Sequence, residues 1–99
     1  MTTSKELKIE IGSSSIKLIG DLNINTVKLF KETIMDKILE NKKLTFDLLE
    51  LDFMDSSGIG SLVKLSREVT YKITLTKLKP NIKNTISMMG CAEFFDIKD

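Results

Sequence analysis

The feature that most constrains this chain is the junction Phe53-Met54-Asp55-Ser56-Ser57-Gly58-Ile59-Gly60, where the hydrophobic period changes. Before it, Leu44, Phe46 and Leu48 alternate with Thr45 and Asp47 and run on into Leu51 and Phe53, the period of two that marks a strand. After it, Ile59, Leu62, Val63 and Val69 fall on one face of a helix. Three small polar residues separate the two regimes, and Asp, Ser and Ser are all good helix caps. The junction therefore predicts a strand, a tight loop and a helix whose N-terminus lies at Asp55 to Ser57. The first backbone N–H groups of a helix lack intrahelical acceptors and the macrodipole adds partial positive charge, so an anion or phosphate is well accommodated there. A serine hydroxyl at this point suits phosphate attachment; the simpler reading is that Asp55 or Ser56 only caps the helix.

The rest of the chain supplies the partners of this unit. Leu7, Ile9 and Ile11 alternate with Lys8 and Glu10, Gly12-Ser13-Ser14 supplies a turn, and Ile16 and Leu18 resume the alternation up to Gly20-Asp21. That pattern predicts a β-hairpin. The loop Gly20-Asp21-Leu22-Asn23 then leads to Asn23 or Asn25 as a cap for a helix with Val27, Phe30, Ile34 and Ile38 on one stripe. The helix opened by Asp55 to Ser57 fades near Val69 to Thr70, and Ile73 and Leu75 alternate with Thr74 and Thr76 in a further strand. Pro80 opens a last helix carrying Ile82, Ile86 and Met89, and Gly90 closes it. Phe94, Phe95 and Ile97 form a short terminal strand or packed tail. The order β-β-α-β-α-β-α predicts one α/β domain over residues 1–99, a mixed and largely parallel sheet with helices packed against it. Loops at the carboxyl ends of parallel strands share a rim, so the Gly20 to Asn25 and Asp55 to Gly58 loops are expected to face one partner, with Asn23 near Ser57.

Composition narrows the function. With 99 residues, 41% of them apolar, the chain supports a single core and a surface-borne function rather than an enclosed catalytic cavity. Fifteen basic and fourteen acidic residues leave a net charge of +1, and Arg67 is the only arginine, so the footprint of direct nucleic-acid binding is missing. Histidine is absent, which removes imidazole metal sites, Ser-His-Asp triads and phosphohistidine chemistry. The Ser-Ser-Gly loop suggests a nucleophile, but it lacks a histidine base and the Gly-x-Ser-x-Gly elbow, and Lys64 serves as a base only on paper. No enzymatic role, cofactor or metal is expected. Asp47, Glu50 and Asp52 are acidic neighbours whose spacing fits no calcium loop. Cys91 is alone and reads as a small buried apolar residue; Met88-Met89 and Phe94-Phe95 read as core or tail packing, and Lys42-Lys43 as a solvated turn. Without a signal-like or membrane-spanning run, a cytoplasmic location without membrane insertion is expected.

Asp55-Ser56-Ser57-Gly58-Ile59-Gly60 after a Leu-rich strand, Gly20-Asp21-Leu22-Asn23 after the second strand, and Ile73-Thr74-Leu75-Thr76 followed by Pro80 and Met89-Gly90 together resemble a STAS domain. That fold is shared by bacterial anti-sigma factor antagonists and the cytoplasmic tails of sulfate transporters, and the resemblance covers essentially the whole chain. By position it implies that Ser57 is the serine phosphorylated by an anti-sigma factor with kinase activity, ATP being bound by that partner. It further implies a PP2C-type phosphatase that restores the hydroxyl, and a partner-binding surface formed by Asp21, Asn23, Asp55, Ser56, Ser57, Gly58 and Ile59. The alternative within the same family is an accessory or scaffold module of a transporter or signalling complex that docks without phosphorylation. The chain departs from the family pattern at Asn23, where Asp is frequent, at Lys79, where a capping serine is common, and over Ser66 to Tyr71, which is short and lacks a glycine.

Overall fold

A computed structural model describes residues 6–39 and 43–98. The two strands of the hairpin, β1 (Leu7–Ile11) and β2 (Ile16–Leu22), pair antiparallel with Ile9 opposite Leu18. Helix α1 (Val27–Leu39) follows, then β3 (Thr45–Asp47), β4 (Leu51–Met54), α2 (Ser56–Glu68), β5 (Ile73–Thr76) and α3 (Pro80–Met88). A single 3-10 turn at Ala92–Phe94 leads into β6 (Phe95–Lys98). The sheet runs β1-β2-β3-β5-β6, and every pairing except that of the hairpin is parallel. Strand β4 continues the same side of β2 beyond β3, with Leu22 opposite Met54.

The segment expected as one strand from Leu44 to Phe53 is thus two. Asp47 causes the break: its Oδ1 accepts the Leu49 N–H at 3.0 Å, an Asx turn, and the Leu51 N–H donates to the Leu48 carbonyl at 3.1 Å. Leucines at 48 and 51 stay fully buried on either side of the turn, so the apolar pattern survives while the pairing does not. Two further expectations fail. Strand β2 does not stop at Gly20-Asp21 but runs to Leu22, after a register shift at Gly20/Asp21 that sets Asp21 opposite Phe53. Phe53, read as part of the buried strand, is half exposed.

The core holds Leu18, Leu22, Phe30, Ile34, Phe46, Leu51, Leu62, Leu75 and Ile82, each almost without solvent contact. Phe30 and Phe46 meet with ring centroids 5.7 Å apart, seating α1 on the sheet. Ile38, expected on the same stripe of α1, and Lys42 lie outside the residues whose side chains are described; Lys43 is exposed as expected. Helix α2 ends at Glu68 with Val69 as its cap. Pro80 begins α3, and Gly90 follows its cap at φ 69°, the left-handed geometry that stops a helix. Met88 and Met89 are not core residues: both side chains are exposed at the end of α3, because only Ile82 and Ile86 of that helix turn inward. The closing segment is a true strand, β6 paired with β5.

Among the described residues, the carboxylates Asp47, Glu50 and Asp52 do not gather into a group of three that could hold a metal ion. Each instead meets a lysine: Lys77 at 3.6 Å, Lys17 at 3.0 Å and Lys79 at 2.6 Å. The last contact explains Lys79 at the start of α3, where it provides no side-chain cap: its ammonium ties α3 to β4, and Asn81 adds a bond from its amide to the Asp52 carbonyl at 3.0 Å.

Candidate functional site

Parallel pairing of β2 with β4 places their carboxyl ends side by side, so the loops that follow them share one rim. Asp55 locks those loops together. Its backbone is extended (φ −97°, ψ −175°), it is the N-cap of α2, and its Oδ1 accepts the Gly58 N–H at 3.0 Å. Its other oxygen, Oδ2, accepts the Ile24 N–H from the β2–α1 loop at 3.3 Å, and its own N–H donates to the Leu22 carbonyl at 3.3 Å. One carboxylate thus caps a helix and clamps a loop thirty-one positions away in sequence.

The β2–α1 loop is itself built by Asn23. Its Oδ1 accepts the Asn25 N–H at 2.9 Å, its N–H donates to Thr26 Oγ1 at 2.9 Å, and its carbonyl accepts the N–H groups of Thr26 and Val27. The Thr26 hydroxyl closes the ring by donating to the Asp21 carbonyl at 2.9 Å. Asn23 is almost completely buried by these contacts. An amide meets this demand for a short polar side chain without placing a charge in the loop.

Gly58 is the third residue of α2 and sits where the loops meet. A Cβ there would run into the Leu22 carbonyl oxygen and come within 2.8 Å of Met54 Cγ. Only a glycine lets the first turn of α2 approach β2 this closely. Ser61 reinforces the same turn by donating its hydroxyl to the Gly58 carbonyl at 2.6 Å.

Of the seven residues assigned to the surface from sequence, Asp21, Asn23, Gly58 and Ile59 lie buried and shape the rim from beneath. Ser56 is exposed, and Asp55 and Ser57 are half-buried. Ser57 occupies the second position of α2, where N–H groups of a helix point outward without intrahelical acceptors. Sequence reasoning passed over Ile24, whose amide Asp55 holds and whose side chain is 66% exposed. An isolated isoleucine between two asparagines was the available signal. No group of three or more metal-ligating side chains gathers among the described residues, and no described helix is long and apolar enough to cross a membrane.

Among the described residues a six-stranded mixed sheet and three α-helices carry a hydroxyl-bearing helix start clamped at the rim, an α/β arrangement of the STAS type. The STAS domain model matches residues 5–99, and the chain belongs to that family.

Among solved structures, the chain is similar to the unphosphorylated anti-sigma factor antagonist SpoIIAA, with 22% identity, a TM-score of 0.73, and coverage of 94% of this chain and 88% of that one. The phosphorylated form of the Bacillus cell fate determinant SpoIIAA aligns with 20% identity and a TM-score of 0.64, covering 94% and 91% of the two chains. The murine anion transporter Slc26a9 aligns with 20% identity and a TM-score of 0.69 over 89% of this chain but 16% of the transporter. At these identities the likeness is one of fold.

Proposed function

We propose that the protein is an anti-sigma factor antagonist. Unphosphorylated, it docks on an anti-sigma factor that is also a serine kinase and so frees a sigma factor; phosphorylated at Ser57, it lets that partner go. The observation that carries this reading is the setting of Ser57: a half-accessible hydroxyl on the first turn of a helix whose cap and neighbouring loop are fixed by one carboxylate. The kinase would bring ATP. The Ser57 oxygen attacks the γ-phosphorus, the bond to ADP breaks, and the hydroxyl proton leaves to a base on the kinase. A PP2C-type phosphatase would reverse the modification by hydrolysis. The domain itself contributes neither catalyst nor cofactor in this scheme, and it works in the cytoplasm.

The switch follows from charge. A phosphate adds about −1.5 to −2 at neutral pH, which the helix N-terminus tolerates, so the fold is retained. In a docked complex the same dianion must be desolvated, at a cost on the order of 2 to 5 kcal/mol. That is roughly 30-fold to several thousand-fold in affinity. The test is titration of the cognate anti-sigma factor with wild type, Ser57→Ala and Ser57→Asp, with intact-mass analysis after incubation with ATP. Ser57→Ala should bind and take up no phosphate, and Ser57→Asp should bind far more weakly. Equal binding by Ser57→Asp would sink the switch.

The likeness to the Slc26a9 chain favours a second reading, an accessory or scaffold module that docks without phosphorylation. Ser57 unmodified in native cells under every growth condition would select it.

A further inference from the structure

Helix α2 contains two glycines, and only one has an internal reason. Gly58 is demanded by Leu22 and Met54, whereas a Cβ on Gly60 would meet nothing within 4 Å, and Gly60 has no positive φ. Glycine inside a helix destabilises it relative to alanine, so this position weakens α2 with no packing gain inside the domain. What Gly60 does create is relief. It lies in an open groove of about 540 Å³ between α2 and the end of α3, which begins at Ser56 and continues along Val63, Lys64 and Arg67. Met89 and Phe94 form the opposite wall, and Met89 is 51% exposed there.

The groove's charge is one-sided. Among the described residues its only ionic lining residues are Lys64 and Arg67, both exposed, and no carboxylate lines it. Neither makes an ion pair among the described residues; Arg67 lies over the Phe94 ring at 5.8 Å, holding the guanidinium on the groove wall. Lys17, Lys77 and Lys79 are each spoken for by a carboxylate, whereas Lys28, Lys31, Lys43 and Lys72 likewise make no ion pair among the described residues, so what distinguishes Lys64 and Arg67 is their place on an apolar groove.

We infer that this groove is a docking site for an amphipathic helix of a partner protein, one with a small apolar face seated over Gly60 and acidic residues set against Lys64 and Arg67. Gly60 permits close approach of the incoming helix, Met89 adapts to its apolar face, and the two cations fix its register and sign. The inference extends the docking role proposed for the rim and rests on that reading only for the direction of the switch. Ser57 does not itself line the groove but adjoins Ser56 at its end, so a dianion there would add repulsion against an acidic partner through space.

The experiment uses the full chain, ¹⁵N-labelled, titrated with two synthetic helical peptides that share one Ala/Leu face and differ only in carrying Glu or Lys on the flanks. The Glu peptide should shift the amides of Gly60, Lys64, Arg67, Met89 and Gly90 and bind at least about tenfold more tightly than the Lys peptide. Binding should fall by a similar factor in the Lys64→Glu, Arg67→Glu double variant and in Gly60→Leu, which fills the groove. Gly60→Ala, checked for an unchanged spectrum elsewhere, controls for folding. Equal binding of both peptides, shifts located on another face, or shifts that appear on concentrating the protein alone would overturn the assignment, the last by giving the groove to a second copy. The Ser57→Asp variant is titrated in parallel. Retained Glu-peptide binding there, with intact charge preference, leaves the groove standing and counts against the phosphoswitch, while loss of preference in wild type removes the groove and leaves the switch to its own test.

Discussion

At Gly58 and Gly60 the same residue type, two positions apart, has opposite consequences. Gly58→Ala must move the Leu22 carbonyl or Met54 out of the way, both in the packed interior, and should cost about 2 to 4 kcal/mol of stability, as overpacking against backbone does. Gly60→Ala meets open space and should raise stability by about 0.5 to 1 kcal/mol through helix propensity alone. Urea unfolding of the two variants reads both signs in one assay. Asp55 gives a third expectation: Asp55→Ala removes a cap and a loop clamp together and should cost about 1 to 3 kcal/mol. Its amide-exchange signature separates the two effects, since Ile24 should lose protection along with Gly58. The capping half of that role was legible from Asp-Ser-Ser-Gly, because it acts over three positions. The clamping half was not, because it spans two loops that only the β2–β4 pairing brings together. Asn23 was legible as a loop residue, but its burial was not, since that depends on Thr26 folding back onto it.

Elements were readable where one apolar stripe meets one neighbour. The hairpin, α2 and the Pro80 to Gly90 helix followed from local period and capping chemistry. The β3–β4 segment was misread because Leu44 to Phe53 alternates well enough for a single strand, and the turn depends on one buried side chain, Asp47, satisfying the Leu49 amide. Asp47→Ala should therefore destabilise the domain by about 1 to 2 kcal/mol, the cost of leaving that turn unbonded, with the Lys77 contact a minor loss. Exchange should rise first at Leu49 and Leu51; loss confined to β5 and β6 would refute this account of the break. Met88 and Met89 were misread for a related reason. Helical spacing identifies a stripe but not where its cover ends, and the end of α3 leaves Met88 and Met89 exposed while Ile82 and Ile86 are buried.

For the molecule as a whole, Cys91 reports how tightly the end of α3 is closed. It is buried, its Sγ lies 3.5 Å from the Ile86 carbonyl, and burial pushes its thiol pKa up from the ordinary value. A thiol is neutral when protonated, so the native state holds this proton to higher pH than the unfolded chain does. Below the unfolded value, about 8.5, both states are protonated and the full contribution to stability is present. As pH rises beyond it the unfolded chain releases its proton first, and stability falls until the native thiol ionises as well. Urea unfolding at a series of pH values from neutral to alkaline should accordingly show a steeper alkaline decline for wild type than for Cys91→Ala, whatever the offset between them at neutral pH. Alkylation of the native thiol should be slow at mildly alkaline pH and become rapid in denaturant. Parallel pH profiles together with fast native alkylation would mean that the end of α3 opens freely, and the groove wall formed by Met89 and Phe94 would then not be a fixed surface for a partner to read.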